Sequence, residues 1–337
     1  MLLKELCDAS GVSGNEAEIR QCIASHLSDC TLHTDAMGNL LAHRAGKGPK
    51  ILFAAHMDEV GLIISGAEEN GFLRFKTVGG INTDVILGKK VYIGAKRVPG
   101  IVGICAVHLQ KKEMREASVE EENMYIDIGA ASREEALSIV QLGDTAVFSS
   151  HFTLFGDNLV DAKAIDDRAG CALLLRLMQK RYHADICCAF TAQEEVGTRG
   201  AQAAAEFFHP DFAIVLESTI CSDFHPTLPA AHVTTLGAGP VIPFMDRTST
   251  PDRTLVASIT SVAAKQGIPW QRKRSTRGGT DAGTISRAVE GIPTAILALP
   301  CRNLHTPTTV ICMDDYENTW NLLDAWLRTF TACPKEI

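Results

Sequence analysis

Asp185-Ile186-Cys187-Cys188-Ala189-Phe190-Thr191-Ala192-Gln193-Glu194-Glu195-Val196-Gly197 is the stretch on which the reading of this chain turns. Ile186 to Phe190 is a continuous apolar run of strand length, the pattern of a buried strand. It ends in two adjacent carboxylates and a glycine. Neighbouring side chains on a strand point to opposite faces. Where strand gives way to loop, that alternation relaxes and both acids can reach one cleft. There one acid can bind a metal while the other moves a proton. Taken alone, Glu194-Glu195 reads first as a solvated pair opening a helix at the positive end of its dipole. The rest of the chain reverses that weighting.

An α/β rhythm surrounds the stretch. Upstream, residues 2–8 and 15–29 have helical spacing, and Leu32 to Ala42 reads as a hairpin turning at Met37-Gly38-Asn39. Ile51 to Ala55 is a buried-strand run with His56-Met57-Asp58-Glu59 at its end. Asp166-Asp167 precede a helix over Ala169 to Lys180, and a second helix spans Gly200 to Phe207. Phe212 to Leu216 is a buried strand ending in Glu217, and Leu255 to Lys265 is a helix. The Gly278–Gly283 turn leads into a helix near Thr284–Val289. A strand from Thr294 to Leu299, a loop with His305 and a helix from Asp314 to Phe330 close the chain. Between Leu62 and Asp157 the texture is different. Short β-type runs at Phe72–Val78, Lys90–Ile93, Ile101–Val107, Met124–Ile128 and Thr145–Ser149 are separated by Gly-rich turns. One helix is expected there, Ser132 to Val140, with Glu135 at the capping-box position. A β-rich module thus interrupts the α/β pattern.

With 337 residues and 46% hydrophobic content, the chain can bury one large core or two ordinary ones. A net charge of −8 argues against nucleic acid or an anionic membrane as partner, since both require clustered Lys and Arg. Gln271-Arg272-Lys273-Arg274 is short and reads as a solvated face. The 11 cysteines form no Cys-x-x-Cys pair and no disulfide framework, which points to a reducing cytoplasm. The N-terminus carries charge too early for a signal peptide, and no apolar run reaches the roughly 18 residues of a membrane span.

His56, Glu194, Glu195 and Glu217 each follow an apolar strand run, His305 lies in the loop after the last one, and Asp166 opens a helix. Open α/β sheets bind ligands outside the carboxyl ends of their strands, so one crevice could hold all six. Buried carboxylates and histidines need partners, and convergence on divalent cations would satisfy them together. Two His with several carboxylates and no Cys suit Zn2+, Co2+ or Mn2+. This is the chemistry of metal-assisted hydrolysis.

The chain resembles the tetrahedral aminopeptidase family, the glutamyl aminopeptidase-like or cellulase-like metallopeptidases. The resemblance rests on Ala55-His56-Met57-Asp58-Glu59-Val60-Gly61, Tyr125-Ile126-Asp127-Ile128-Gly129-Ala130, Lys163-Ala164-Ile165-Asp166-Asp167-Arg168, Gln193-Glu194-Glu195-Val196-Gly197, Gly278-Gly279-Thr280-Asp281 and Arg302-Asn303-Leu304-His305-Thr306-Pro307, in this order. It implies an α/β, mixed-sheet catalytic domain over residues 1–62 plus 158–337. Residues 63–157 would form an inserted small β-rich, barrel- or PDZ-like dimerisation domain. It also implies two divalent metal ions per subunit, Zn2+ with Co2+ or Mn2+ as alternatives. His56 and Glu217 would hold one ion, Glu195 and His305 the other, and Asp166 would bridge them. Glu194 would be the general base and acid, and Asp58 would orient the His56 ring. Substrates would be short peptides, and the assembly a tetrahedral dodecamer built from dimers. Family members commonly carry Asp where Glu217 stands; a longer carboxylate keeps a ligand but can alter geometry or metal preference.

Other histidines read as structural: His26, His33, His43, His183 and His209 as surface or capping groups, and His108 and His151 as packing or subunit contacts. Asp167 and Arg168 read as a pair or as support for the site, not as ligands. The Gly278–Gly283 turn reads either as a cradle for a substrate carboxylate or as a tight helix start. Rival functions are a related dinuclear deacylase or carboxypeptidase, an endoglucanase, and a non-catalytic metal-binding scaffold. A glycosidase needs two carboxylates and no metal, which the two histidines oppose. A dead scaffold would be expected to have lost Glu194.

Overall fold

The computed structural model describes residues 1–110 and 118–332. Helices α1 (Leu2–Asp8) and α2 (Ala17–Ser25) precede strands β1 (Thr31–Thr34), β2 (Leu40–Arg44) and β3 (Lys50–His56). Six strands follow: β4 (Gly61–Ala67), β5 (Leu73–Val78), β6 (Lys90–Ile93), β7 (Val98–Ile104), β8 (Met124–Asp127) and β9 (Thr145–Phe148), with α3 (Arg133–Ile139) before the last. Then come β10 (Thr153–Phe155), β11 (Leu159–Ala162), α4 (Ile165–Met178), β12 (Asp185–Thr191), α5 (Arg199–Phe208) and β13 (Phe212–Ile220). The chain closes with α6 (Arg253–Gln266), α7 (Asp281–Ile285), β14 (Thr294–Cys301), β15 (Thr309–Cys312) and α8 (Met313–Ala332).

The main sheet has the order β1-β2-β12-β3-β13-β14. Its last four strands are mutually parallel, and the β1–β2 hairpin adds an antiparallel edge to β12. The continuous apolar runs have a physical reason: both faces are covered. On β3, Ile51, Phe53 and Ala55 enter one core with α1, α2, α4, α6 and α8, while Leu52 and Ala54 enter another with α5 and α7. β12 divides the same way, with Ile186, Cys188 and Phe190 on one side and Cys187 and Ala189 on the other.

Strands β12 and β13 flank β3 on opposite sides, which opens a crevice at its carboxyl end. Register fixes what stands there. Thr191 lies beside His56, and Val215 lies beside Ala54. Glu217 is therefore level with His56 across the sheet. It is not a strand-end residue: β13 continues to Ile220, paired with β14 as far as Cys301. Ser218 and Thr219 are polar but buried, so the apolar run stops before the strand does.

The interrupting strands close into a barrel, β4-β5-β8-β7-β6-β9. Its core shows the period of two expected of strands with one face inward: Leu62 and Ile64, Leu73 and Phe75, Val91 and Ile93, Met124 and Ile126, Ala146 and Phe148. Ser132 caps α3 as expected, its hydroxyl accepting from the Glu135 amide at 3.2 Å. Strand β4, which the sequence reading passed over, is the one that carries the chain from the sheet into the barrel. A further small sheet, β10-β11-β15, was also not expected, its strands being only three or four residues long.

Candidate metal centre

Every sequence-predicted donor reaches the crevice. His56 ends β3, and its Nε2 lies 3.3 Å from Asp166 Oδ1 and 3.5 Å from Glu217 Oε1. His305, in the loop between β14 and β15, has its Nε2 3.4 Å from Asp166 Oδ2 and 3.3 Å from Glu195 Oε2. The two oxygens of Asp166 thus face two different imidazoles. Among the described residues, two donor groups cluster here with ligand atoms within 4.8 Å of one another: His56, Asp166 and Glu195, and Asp166, Asp167 and Glu217. Asp166 belongs to both.

Local backbone geometry delivers these side chains. Gln193 takes a left-handed φ of 59° just past β12, and His305 one of 56°. Such angles are uncommon for residues with a Cβ and cluster at functional sites. The turn at Gln193 ends the strand's alternation, so Glu194 and Glu195 follow a bend rather than opposite faces. Asp58 ties this bend to β3. Its carboxylate accepts from the amides of Glu194 at 3.0 Å and Glu195 at 3.2 Å and from the Ser13 hydroxyl at 2.6 Å. The same carboxylate lies 3.5 Å from His56 Nδ1, and the Asp58 carbonyl lies 3.1 Å from it. The other ring nitrogen of His305 lies 3.2 Å from the Gly80 carbonyl, a contribution from the barrel.

Electrostatics at the centre are those of crowded buried acids. Burial and the charge on Asp166 push Glu195 to about 7 and Glu217 to about 8. Burial, together with the charges of Glu217, Asp281 and Glu195, raises Glu194 well above the usual carboxylate range. Asp166 goes the other way despite its burial, because contacts with His305 and His56 hold it low. Burial opposes charge on the imidazoles, yet the contacts with Asp166 and neighbouring carboxylates raise His56 well above its ordinary value and His305 to about 9.

Two acids of the crevice were not read as ligands from sequence. Asp167 is fully buried; its Oδ1 accepts from the Gly170 amide at 3.0 Å, while its Oδ2 has no hydrogen-bond partner among the described residues. Asp281 is also buried, with Thr191 Oγ1 donating to its Oδ2 at 2.5 Å and its Oδ1 left without a partner. Its place in Gly278-Gly279-Thr280-Asp281 was the available signal. That turn is a helix start: the Thr280 hydroxyl accepts from the Ala282 amide, and α7 begins at Asp281 rather than near Thr284.

Arg168 does not pair with Asp167. It is fully buried and binds Glu59 Oε1 at 3.2 Å and the carbonyls of Met57, Ala9 and Leu6. Lys163 joins it, donating to both Glu59 oxygens at 2.8 and 2.9 Å and to the Ala9 carbonyl. The expected solvated face at Gln271–Arg274 is also partly packed. The Arg272 guanidinium lies 4.1 Å from the Phe244 ring centroid and 4.5 Å from that of Trp270, and Gln271 binds Thr235 and Gly239.

Two imidazoles cannot neutralise this many converging carboxylates, and buried oxygens on Asp167 and Asp281 have no hydrogen-bond partner among the described residues. The donor set of nitrogen and oxygen ligands, without thiolate, fits divalent cations. Fold and site together are those of a metal-dependent hydrolase with its cleft at the carboxyl end of a mixed sheet. Comparison with known proteins makes the class specific. A family model described as M42 glutamyl aminopeptidase matches residues 38–322, and one described as AMPT matches residues 1–22. A putative aminopeptidase of Acetivibrio thermocellus is 38% identical over 328 residues, covering 96% of each chain. The lysyl aminopeptidase of Pyrococcus furiosus is 30% identical, covering 97% of this chain and 96% of its own. Among solved structures, the TET aminopeptidase of Thaumarchaeota archaeon SCGC AB-539-E09 superposes with a TM-score of 0.93 at 33% identity, covering 97% and 95% of the two chains. The Pyrococcus horikoshii TET1 peptidase, which can assemble into a tetrahedron or a large octahedral shell, gives 0.87 at 32%, covering 97% and 98%. The chain belongs to the M42 glutamyl aminopeptidase family and is a metal-dependent aminopeptidase.

Proposed function

We propose that this aminopeptidase works with two metal ions and removes N-terminal residues from short peptides. The observation that supports it most is Asp166, whose Oδ1 and Oδ2 face His56 at 3.3 Å and His305 at 3.4 Å. A carboxylate in that position is suited to bridge two cations. His56 and Glu217 would hold one, Glu195 and His305 the other. Bound there, the ions would polarise the scissile carbonyl and make a water nucleophilic at neutral pH. Glu194 takes the proton of that water and hands it to the departing amine. Its raised proton affinity, from burial and acidic neighbours, suits a base working near neutral pH. Asp58 orients the His56 ring and positions the Glu194 and Glu195 amides. Zn2+ is the resident metal proposed, with Co2+ or Mn2+ able to substitute.

The catalytic unit is residues 1–62 plus 158–337, and residues 63–157 form the unit through which subunits dimerise. The tetrahedral assembly of the Pyrococcus horikoshii relative supports a homo-oligomer, a dodecamer built from dimers. Ten described cysteines are free, in keeping with the cytoplasm. No helix among the described residues is long and apolar enough to cross a membrane. The test is a panel of aminoacyl chromogenic substrates, assayed after chelation and after refilling with Zn2+, Co2+ or Mn2+. Chelation should abolish hydrolysis and metal should restore it. Full activity in protein shown by elemental analysis to hold no transition metal would remove the reading.

A further inference from the structure

We propose that Glu5, Cys22 and His26 form a second, separate metal site that takes a zinc-class divalent cation and staples α1 to α2. The sequence places Cys22 and His26 four residues apart, one turn of helix, so that both lie on one face at the end of α2. Glu5 comes from α1. Leu3, Leu6 and Cys7 of α1 share a core with Ile19 and Ile23 of α2, and this packing fixes the two helices against each other. One ligand atom from each of Glu5, Cys22 and His26 lies within 4.8 Å of the other two.

The individual separations fit a cation. Glu5 Oε1 is 3.1 Å from His26 Nε2 and 3.7 Å from Cys22 Sγ. Tetrahedral zinc, with bonds of about 2.0–2.1 Å to nitrogen or oxygen and about 2.3 Å to sulfur, sets ligand edges of roughly 3.3 Å and roughly 3.6 Å. His26 Nε2 sits within the cluster. It is shut off from solvent and faces the Glu5 carboxylate, an ion pair that a cation between the two groups would replace. Glu5 is half exposed, which leaves an open side for entry and for a water as fourth ligand. Burial and the Glu5 charge push the Cys22 thiol up to about 11, so binding releases its proton to solvent as the thiolate joins the metal.

The staple would steady the segment behind the catalytic cleft. The Leu6 and Ala9 carbonyls in and just after α1 accept from Arg168, which directly follows Asp166-Asp167. A cation at Glu5 would hold α1 in that position without touching substrate.

The experiment strips the full-length protein with a chelator and titrates it with Co2+. Wild type should show a thiolate-to-cobalt charge-transfer band in the near ultraviolet. Its total uptake should exceed that of Cys22→Ser by one equivalent. The catalytic donors include no thiolate, so the band reports this site whether or not the two-metal reading of the cleft holds. Cys22→Ser should lose the band and keep aminopeptidase activity. His26→Gln, which leaves the thiol in place, should weaken Co2+ binding by at least the ~10-fold that losing even an outer-shell partner costs. A wild-type protein with no band, or a Cys22→Ser or His26→Gln variant that binds Co2+ with an unchanged band, overturns the proposal.

Discussion

Glu194 and Glu195 stand side by side after the Gln193 bend, yet their surroundings differ. Glu195 Oε2 lies 3.3 Å from His305, among the other donors. Glu194 is held by its amide to Asp58 and surrounded by negative charge. Glu194→Gln keeps size but cannot accept a proton. Metal content should stay near wild type while the turnover rate falls by about 10²–10⁴. Glu195→Gln should lose metal as well as activity. Elemental analysis beside steady-state rates separates the two, and a Glu194→Gln enzyme at normal rate would refute the assignment. The pH dependence of metal loading has a definite sign. In the metal-free site Glu195 titrates at about 7 and Glu217 at about 8, so below those values protons occupy the ligands. Binding must displace them, together with the protons on His56, held well above its ordinary value, and on His305, raised to about 9, so apparent affinity should climb from pH 6 through about pH 9. A metal-buffered titration showing tighter binding at pH 6 than at pH 8 would contradict this. Sequence reading grouped these donors because each follows an apolar run or lies in a recognisable motif. It could not see Asp167 or Asp281 as buried acids, since burial depends on which helices cover them. Cys22 and His26 gave no signal beyond their spacing, because their partner Glu5 is on another helix.

The elements around the cleft are locked by a buried network centred on Glu59, in the connection between β3 and β4. Lys163, before α4, and Arg168, within it, both bind Glu59, and all three are almost wholly buried. The Ala9 carbonyl, after α1, accepts from both cations. Two cations share one anion, so neutralising Glu59 leaves both without a counter-charge. Removing one partner of a buried ion pair is strongly destabilising, by about 3–5 kcal/mol. Glu59→Gln should therefore lower the urea midpoint of unfolding by a corresponding amount at fixed protein concentration. A variant within about 0.5 kcal/mol of wild type would show that the network carries no such load. These partners lie 104 and 109 positions apart, which is why no local pattern announced them. The sheet strands were legible because burial on both faces leaves an unbroken apolar run. Strand β4, Gly-Leu-Ile-Ile-Ser-Gly-Ala, was missed because its two glycines and a serine resemble turn composition, although barrel closure buries Leu62 and Ile64. Strand β13 was cut short at Glu217 for the opposite reason: polar residues can extend a buried strand when their backbone is paired on a neighbour.

At the scale of the molecule, the barrel is joined to the rest of the chain in two ways that an experiment can separate. Its entry and exit strands are neighbours, with Leu62 beside Ala146, so the chain could be spliced across the base with a short linker. The barrel also reaches into the cleft. Gly79 and Gly80, just after β5, pass against the metal centre, and Gly80 offers its carbonyl to His305. Gly79 has a φ of +84°, and a Cβ there would stand 2.8 Å from Val60 and 3.4 Å from Glu195, so glycine is required. If residues 63–157 join subunits, removing the barrel between Gly61 and Ser149 should yield an assembly of fewer subunits, read as light-scattering mass divided by the shortened subunit's mass. It should also impair loading at His305, which loses its second contact. Ile101 on β7 is half exposed and apolar, a barrel residue that a subunit contact would cover. Ile101→Asp leaves Gly79 and Gly80 untouched, so it should shift mass towards smaller species while metal content and rate per subunit stay near wild type. Both variants retaining the wild-type number of subunits would mean that the barrel's role is confined to the cleft. A smaller Ile101→Asp particle with full metal and activity would instead show that assembly and catalysis use different parts of the same insert.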